Sequence, residues 1–533
     1  MSQERIISFF GLFAMLGFAW LMSSHKKKVS PRIVLGGLAL QVLLAVLILK
    51  TEPGRVAFKE LGDFFTGVLD YSEAGAKQIF EVYPPQAKDN ANVETWAHPA
   101  TLLRTFAFGV LPTIIFFSAL MAILYHLGLM QFIVNVFAKL MQKTLGTSGA
   151  ETLSAAANIF VGQTEAPLVI RPYVNEMTLS ELNVVMVGGF ATIAGGVLAA
   201  YVGFGVNAGH LMTASVISAP AALMIAKILQ PETEVAKIAD GATTKSDETA
   251  KVNVIEAAAE GASSGLMLAL NVGAMLIAAV ALVAMGDAIV GWIGKLIVGE
   301  QSNWSLTMAF GYVFAPFAWL MGIPVDECLK SGEILGKKMV VNEFMAYIDL
   351  SGAREALRPR TYIILTYALC GFANFSSIGI QLGGIGGIAP QRRGDLAKLG
   401  FRAMLGGTLA AFMTACVAGV IISNEDAEAE AKAAAAKTAA EKAAAGEDAN
   451  ENAEDKQDAP EPNEDAEVDA AWGLPETHQV ARAANLPSVR TGLCSHCQVT
   501  FEHHFPAWLH RYNWGEYNYT FRSRIHTRSA SLT

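Results

Sequence analysis

Two acidic residues lie inside long apolar stretches of the chain, where a carboxylate needs a specific partner. Glu165 lies in Gly162-Gln-Thr-Glu-Ala-Pro167, and Glu343 lies in Met339-Val-Val-Asn-Glu-Phe344. No Arg or Lys lies beside either one within its apolar stretch, so each should meet a ligand's polar groups, a cation or water. A carboxylate accepts two hydroxyl hydrogen bonds and therefore suits a vicinal diol. The alternative is a purely structural Glu that is satisfied by N–H groups at a helix end.

The residues around Glu165 predict an interrupted helix. Pro167 removes a backbone donor, and a continuous apolar helix does not run straight through a Gly, a carboxylate and a Pro. We expect a re-entrant hairpin that turns at Gly162–Glu165, with Pro167 in the first turn of the returning half-helix. Non-helical backbone at membrane depth persists where it is buried in protein or lines a wet cavity. A surface loop between two spans is the alternative.

A second pattern repeats after each acidic residue. Gly-Phe-Ala triplets are centred 25 residues after Glu165 and 29 residues after Glu343, and polar residues follow both. The first triplet leads to Thr192 and two glycines, and the second leads to Asn374, Ser376 and Ser377. The matching order predicts an inverted repeat with two broken helices, typical of secondary transporters. Asn158, Thr192 and nearby carbonyls are candidate Na⁺ ligands, unless the small polar residues only bond neighbouring helices.

The elements that must position these residues are membrane spans. The chain has 533 residues, 53% hydrophobic and 16% charged, with a mean hydropathy of +0.37, whereas soluble domains average about 25% charged. Residues 1–423 hold 29 acidic and 29 basic side chains; without a basic stripe, nucleic acid is excluded as a partner. Besides the interrupted region that ends near residue 205, apolar runs predict spans at Ile6–Met22, Ile33–Leu49, Leu102–Leu127, Leu211–Leu229, Gly265–Met285, Tyr362–Ile380 and Leu399–Ile422.

Basic clusters set the orientation of these spans. Lys26–Lys28 and Arg392–Arg393 both fall on the cytoplasmic side if the number of spans is even, which leaves both termini outside. The stretch Trp304–Ile323 is also long enough to cross the membrane. Counting it as a span would move the C-terminal tail to the cytoplasmic side.

The chain divides into six predicted segments. They are N-terminal scaffold spans (1–127), a first repeat (128–230), a loop and scaffold span (231–300), a second repeat (301–423), an acidic Ala-rich linker (424–470) and a C-terminal extension (471–533). The linker has almost no side chain larger than Ala to form a core, so a fluctuating helix or disorder is expected. Cys494 and Cys497 form one CxxC pair with scattered histidines, which is a weak zinc signal.

The motifs around Glu165, Glu343 and Asn374 resemble the concentrative nucleoside transporters. The resemblance covers roughly residues 1–423 and rests on Gly162-Gln-Thr-Glu-Ala-Pro167, Asn342-Glu-Phe344 and Gly371-Phe-Ala-Asn-Phe-Ser-Ser377. It implies an all-α polytopic membrane protein with about eight transmembrane helices, two re-entrant hairpins and two broken helices. It further implies a homotrimer, and it makes Trp304–Ile323 interfacial or part of the approach to the second hairpin.

The resemblance also implies roles for particular residues. The nucleobase would contact Gln163, Thr164 and Glu165, with Val197 and Phe372 as walls, and the ribose would contact Glu343, Asn374 and Ser377. Na⁺ would bind the Asn158 side chain, the Thr192 hydroxyl and the carbonyls of Val161 and Ile193. Thr192 stands where the family often has Ser, and Val341 stands where a small polar residue is common.

The predicted function is Na⁺-coupled nucleoside uptake by alternating access in a bacterial inner membrane, with no cofactor besides the coupling ion. Two alternatives stay open. The first is a symporter of the same architecture that is coupled to protons or carries another polar solute. The second is a membrane-embedded enzyme that uses Glu165 and Glu343 as an acid/base pair, although no nucleophile, metal set or cofactor motif accompanies them.

Overall fold

The computed structural model describes residues 2–80, 106–235, 253–299 and 301–436, and every regular element within these ranges is helical. The all-α prediction is therefore confirmed. The first eight helices are α1 (Gln3–Leu21), α2 (Pro31–Leu49), α3 (Glu52–Phe80), α4 (Leu111–His126), α5 (Leu129–Leu145), α6 (Gly149–Ala157), α7 (Ala166–Val169) and α8 (Leu179–Ala191). The next nine are α9 (Gly195–Gly203), α10 (Ala208–Leu229), α11 (Val254–Val298), α12 (Leu306–Leu320), α13 (Val325–Val340), α14 (Glu343–Gly352), α15 (Pro359–Leu369), α16 (Phe375–Ile388) and α17 (Arg393–Ile421).

Seven stretches in the described ranges are long and apolar enough to cross a membrane. They are Gln3–Leu21, Pro31–Leu49, Ala107–His126, Leu179–Gly203, Ala208–Leu229, Val254–Val298 and Pro390–Ile421. The predicted span at Tyr362–Ile380 is instead a pair of shorter helices, α15 and α16. Helices α12 and α13 would count as an eighth span only if the two together crossed the membrane as one segment. They are bent by 120°, and α13 carries six charged residues, so α12 leads into the second hairpin.

The helices divide into an inner group and an outer group. The apolar part of α10 is 100% buried and that of Pro390–Ile421, which includes α17, is 89% buried, whereas only 12% of the apolar part of α11 is buried. Helix α11 packs along α4, where Gly261 and Gly265 let the two backbones approach closely. Its other faces present large apolar side chains, including Leu270 and Trp292. Helix α11 therefore belongs to the periphery of the bundle.

Two runs of six helices follow the same order. Helices α5 to α10 comprise a helix, a hairpin (α6 and α7), a broken helix (α8 and α9) and a long final helix. Helices α12 to α17 repeat this order, with α13 and α14 as the hairpin and α15 and α16 as the broken helix. Both breaks fall where the sequence predicts them, since α8 ends just before Thr192 and Asn374 precedes α16.

The two hairpins begin at opposite ends of the bundle. Near the start of α6, Glu151 pairs with Lys227 at the end of α10. Near the start of α13, Glu327 accepts the backbone N–H of Arg358 at the start of α15. Arg360, also at the start of α15, donates to the carbonyls of Gly419 and Ile422 where α17 ends. Arg402, early in α17, contacts Gln230 just after α10, so these two long helices run antiparallel. This arrangement is the one expected of an inverted repeat.

The packed body extends past the predicted boundary at residue 423. Residues 424–436 of the acidic segment are helical, and Ala427 within them is buried. Glu430 accepts hydrogen bonds from the Asn207 amide (3.0 Å) and meets the His210 ring (3.0 Å). The Lys50 ammonium, 2.7 Å away, lowers the pKa of Asp426 to about 2, so that pair stays charged. The remainder of the linker and extension, including Cys494 and Cys497, lies outside the described residues.

A buried ion cluster fixes the first hairpin to α10. The Lys227 ammonium lies 2.8 Å from Glu151 and 3.2 Å from Glu232, and it donates to the Ser180 hydroxyl at 3.1 Å. Lys227 and Glu151 are both almost inaccessible to solvent, with side chains 6% and 1% exposed. Burying two charges is favourable only when each meets the other, so the two side chains depend on one another.

The variant Lys227→Met should lower the free energy of unfolding by about 3–5 kcal/mol, because it leaves the Glu151 carboxylate buried without its cation. Thermal unfolding of the detergent-solubilised protein measures the loss. The double variant Lys227→Met/Glu151→Gln should recover most of it, because no unpaired charge is left. Lys50→Met, which breaks an exposed pair, should cost about 1 kcal/mol or less. Equal losses in all three variants would contradict this account.

Candidate functional site

The first hairpin turns at the predicted position. Helix α6 ends at Ala157, residues 158–165 form the turn, and α7 begins at Ala166 with Pro167 in its first turn. The Glu165 side chain is exposed, and one of its oxygens accepts the backbone N–H of Gly162 at 3.1 Å. Glu165 therefore has both a free face for a ligand and a contact to its own turn.

The turn of this hairpin packs against the break in the first broken helix. The backbone N–H of Gly195, where α9 begins, donates to the carbonyl of Phe160 at 3.0 Å. A Cβ atom at Gly162 would lie 3.3 Å from that of Ala194, and one at Gly188 would lie 3.0 Å from the Asn158 amide nitrogen. The hairpin turn and the break are thus in direct contact.

Several oxygen atoms near this contact have lone pairs that no group of the described residues uses. The Asn158 carboxamide oxygen is buried without a hydrogen-bond partner, while its nitrogen donates to the Ser154 carbonyl. The Thr192 hydroxyl donates to the Gly188 carbonyl at 2.9 Å, which leaves its own lone pairs free. Val161 and Ile193 lie outside the helices, so their carbonyls are not used by a helical ladder. Neutral oxygen atoms of this kind suit a hard cation.

The described ranges hold no group of three His, Cys, Asp or Glu side chains placed to bind a metal. A cation at the Asn158 site would therefore be bound by amide, hydroxyl and carbonyl oxygens alone. Such a set fits a monovalent ion such as Na⁺ better than Zn²⁺, which is bound by thiolate, imidazole and carboxylate groups.

Glu343 lies at the start of the second hairpin's return helix. Asn342 caps α14 by accepting the N–H of Met345 at 3.0 Å, and Glu343 is the first residue of that helix. Its side chain is buried, and both of its oxygens accept hydrogen bonds. The Tyr201 hydroxyl donates to one at 3.0 Å, and the Asn374 amide donates to the other at 2.9 Å.

Asn374 is held in one orientation by the break that it occupies. As the N-cap of α16, it accepts the N–H of Ser377 at 2.9 Å and the hydroxyl of Ser376 at 2.7 Å through its carboxamide oxygen. Its nitrogen therefore points at Glu343. This cap is the physical reason for a polar residue at the break, since the first N–H groups of a helix need an acceptor.

A hydrogen-bond chain connects the two repeats. The Gln163 amide nitrogen donates to the Ser377 hydroxyl at 3.1 Å, and its oxygen accepts the Gln381 amide at 3.1 Å. Gln381 also donates to the carbonyl of Met186 on α8. The first hairpin turn, both broken helices and the second hairpin thus share one network that ends at Glu343.

The structure brings together part of the predicted site. Gln163, Ser377, Asn374 and Glu343 lie in the network. The predicted base walls, Val197 and Phe372, are both buried. The Thr164 methyl group packs against Gly384 of α16, where a Cβ atom would lie 2.7 Å away. Glu165 lies on the hairpin turn beside Gln163.

Sequence reasoning missed three participants: Tyr201, Gln381 and Lys338. Tyr201 and Gln381 lie within apolar helices, six residues after Gly195 and four after Ser377, and the helical period places Ser377 and Gln381 on one face. That spacing could have suggested Gln381. Lys338 is buried, donates to the carbonyl of Ala368 at 2.8 Å and acts electrostatically on Glu343. Lys338 directly precedes the stretch Met339–Phe344, so a search for basic residues within that apolar stretch does not find it.

This arrangement defines a class of protein. A polytopic helical protein whose hairpin turns and helix breaks meet in a buried polar centre has the architecture of a secondary transporter. Three family profiles match the chain: Na⁺ dependent nucleoside transporter N-terminus at residues 10–82, Nucleoside recognition (Gate) at 107–208, and Na⁺ dependent nucleoside transporter C-terminus at 210–419.

Similar proteins support the same assignment. The "Uncharacterized transporter" of Haemophilus influenzae is 44% identical over 425 residues, covering 78% of this chain and 97% of that protein. Mouse "Sodium/nucleoside cotransporter 1" is 43% identical over 433 residues. The solved structure of CNTnw in an inward-facing substrate-bound state is 40% identical with a TM-score of 0.70, covering 79% of this chain and 98% of that one. The chain belongs to the family of Na⁺-dependent nucleoside transporters.

Membership in this family settles several points. The relatives are transporters and not enzymes, and Na⁺ is the coupling ion of the family rather than an enzymatic cofactor. The alignment covers 78% of this chain but 64% of the mouse protein, so this chain spans less than two thirds of that relative's length.

The substitution Gly371→Ala tests the break that positions Asn374. Gly371 has φ +135°, and a Cβ atom there would lie 2.7 Å from the carbonyl oxygen of Phe190. Strain and overlap should together lower the free energy of unfolding by about 2 kcal/mol or more, which a thermal melt would measure. Gly379→Ala, in α16 with open space around it, should change stability by about 1 kcal/mol or less. An equally mild effect at Gly371 would contradict the predicted strain.

Proposed function

We propose that this protein takes up nucleosides together with Na⁺ by alternating access. The observation that carries the proposal is the hydrogen-bond network from Gln163 through Ser377 and Asn374 to Glu343, because it unites both repeats around a carboxylate. A ligand bound there contacts both halves of the molecule, which is how a substrate can couple to their relative movement.

The ribose site comprises Glu343, Asn374 and Ser377 in this proposal. The buried Glu343 carboxylate has lone pairs left after its two protein contacts, and these can accept the hydrogen bonds of two ribose hydroxyls. The nucleobase site comprises Gln163, Thr164 and Glu165, with the apolar side chains of Val197 and Phe372 as walls. Amide and carboxylate groups match the donor and acceptor edge of a base.

The Na⁺ site comprises the Asn158 and Thr192 side chains and the carbonyls of Val161 and Ile193. The unpartnered Asn158 oxygen and the contact between turn and break support it. Because the same turn carries Gln163 to Glu165, Na⁺ would order the nucleobase residues. By linkage, Na⁺ and nucleoside would raise each other's affinity by the same factor.

The cellular setting follows from the same proposal. A bacterial inner membrane, with Lys26–Lys28 and Arg392 in the cytoplasm and both termini outside, obeys the positive-inside bias. A homotrimer is part of the same proposal, and the apolar side chains that α11 leaves exposed, including Leu270 and Trp292, would face lipid or neighbouring copies in it. Native mass spectrometry of the detergent-solubilised protein tests the trimer.

Uptake into proteoliposomes tests the proposed function. Labelled uridine and adenosine are supplied with an inward Na⁺ gradient or an inward pH gradient, each imposed separately. Accumulation that needs the Na⁺ gradient supports the proposal. Accumulation with the pH gradient alone would identify the proton-coupled alternative, and no accumulation of either nucleoside would refute nucleoside transport.

Glu343→Gln should reduce nucleoside uptake by about 100-fold, because an amide offers one acceptor where the carboxylate offers two and carries no charge. Initial rates in proteoliposomes measure the loss, and an unchanged elution volume shows that folding and assembly persist. Glu355→Gln is the matched control, since Glu355 is exposed between α14 and α15. Near-normal uptake by the Glu343 variant would refute the ribose assignment.

Asn158→Ala should raise the Na⁺ concentration for half-maximal uptake by about 10-fold or more, because a neutral oxygen ligand is lost. Uptake at fixed uridine over a range of Na⁺ concentrations measures the shift. Asn183→Ala serves as the control, since Asn183 is equally buried and its amide nitrogen donates to the Ala226 carbonyl at 2.9 Å. Equal shifts in both variants would show that lost packing, and not a lost Na⁺ ligand, is responsible.

A further inference from the structure

Tyr201 is the one buried hydroxyl donor to Glu343 in the described part of the chain. It lies on α9, in the second half of the first broken helix, and is completely buried. Its hydroxyl donates to Glu343, on the second hairpin, at 3.0 Å. A residue of the first repeat therefore contacts the carboxylate that the second repeat provides.

Two donors from different repeats together determine the orientation of this carboxylate. Tyr201 binds one oxygen and Asn374 binds the other at 2.9 Å. A carboxylate with a single donor can rotate about its terminal bond, because that torsion is broad. With both oxygens bound, the plane of the Glu343 carboxylate is fixed, and so are the directions of its remaining lone pairs.

The Tyr201 ring is itself held firmly. Its centroid lies 4.4 Å from that of Tyr347 and 5.5 Å from that of Phe344, both on α14. Helix α9 is anchored where it begins, since Gly195 donates to the carbonyl of Phe160 on the first hairpin turn. The hydroxyl therefore reaches Glu343 from a rigid support, which is what pre-organisation requires.

We propose that Tyr201 is a positioning residue for ribose recognition: its hydroxyl fixes the Glu343 carboxylate in the plane that receives the substrate's hydroxyl groups. This inference rests on the proposed function, because it takes Glu343 to bind ribose. Tyr201 makes its contribution through Glu343 and does not need to touch the substrate.

Tyr201→Phe tests the inference, because it removes one oxygen and keeps the stacked ring. The KM for uridine should rise about 10-fold, with kcat changed less than twofold. The preference for uridine over 2′,3′-dideoxyuridine should fall about 10-fold, because only uridine has the 2′ and 3′ hydroxyls for Glu343 to bind. Neither KM nor the ratio depends on how much protein enters the liposomes, so a lower yield leaves the test valid.

Tyr347→Phe is the matched control. Its hydroxyl is equally buried and donates to the Thr366 carbonyl at 2.9 Å rather than to Glu343. The control should lose similar stability in a thermal melt and keep the wild-type preference for uridine. A purely structural role for Tyr201 predicts that the two variants behave alike, and that result would overturn the inference.

The outcomes also separate this inference from the proposed function. Wild-type uptake of uridine with an unchanged preference in Tyr201→Phe refutes only the positioning role. Absence of wild-type uptake, or no wild-type preference between the two nucleosides, refutes the function or the ribose assignment on which the inference rests.

Discussion

A buried carboxylate that has to keep its hydrogen bonds is the constraint on which this structure depends. Glu343 lies in the protein interior, where an ionised group is costly unless donors surround it. The donors come from separate elements: Tyr201 from the first broken helix and Asn374 from the second. The two broken helices have to keep a fixed position relative to each other for these contacts to exist. The hairpins and the long helices around them hold the broken helices in that position.

Interrupted helices make such a centre possible. A continuous helix uses its own N–H and C=O groups, whereas a break releases them for caps and ligands. Asn374 uses one face of its amide to cap α16 and the other to bind Glu343, so one residue joins local structure to the site. At the first break, the Asn158 oxygen keeps no protein partner, and the hairpin turn is bound to α9 through Gly195. The residues proposed to bind Na⁺ and the nucleobase therefore belong to one connected unit.

The charges outside this centre have a different role. Lys227 and Glu151 bind the first hairpin to the end of α10, and Glu327 binds the start of α13 to the start of α15. These pairs lie at opposite ends of the bundle, as an inverted repeat requires. The helix at residues 424–436 adds contacts at the end where α17 finishes, through Asp426 and Glu430. The hairpins are thus fixed near their starts while their turns face the centre.

Composition and local chemistry by themselves determined the helical class, six of the seven long apolar spans, the turn at Gly162–Glu165 and both breaks, because Gly, Pro and polar residues act on their own backbone. They also identified Gln163, Glu343, Asn374 and Ser377. Only the tertiary structure decided that Tyr201 and Gln381 join them, that Lys338 lies near Glu343 and that residues 424–436 pack on the body. A Tyr or Gln in an apolar helix has no local signal for its partner, since that partner is 142 or 218 residues away along the chain.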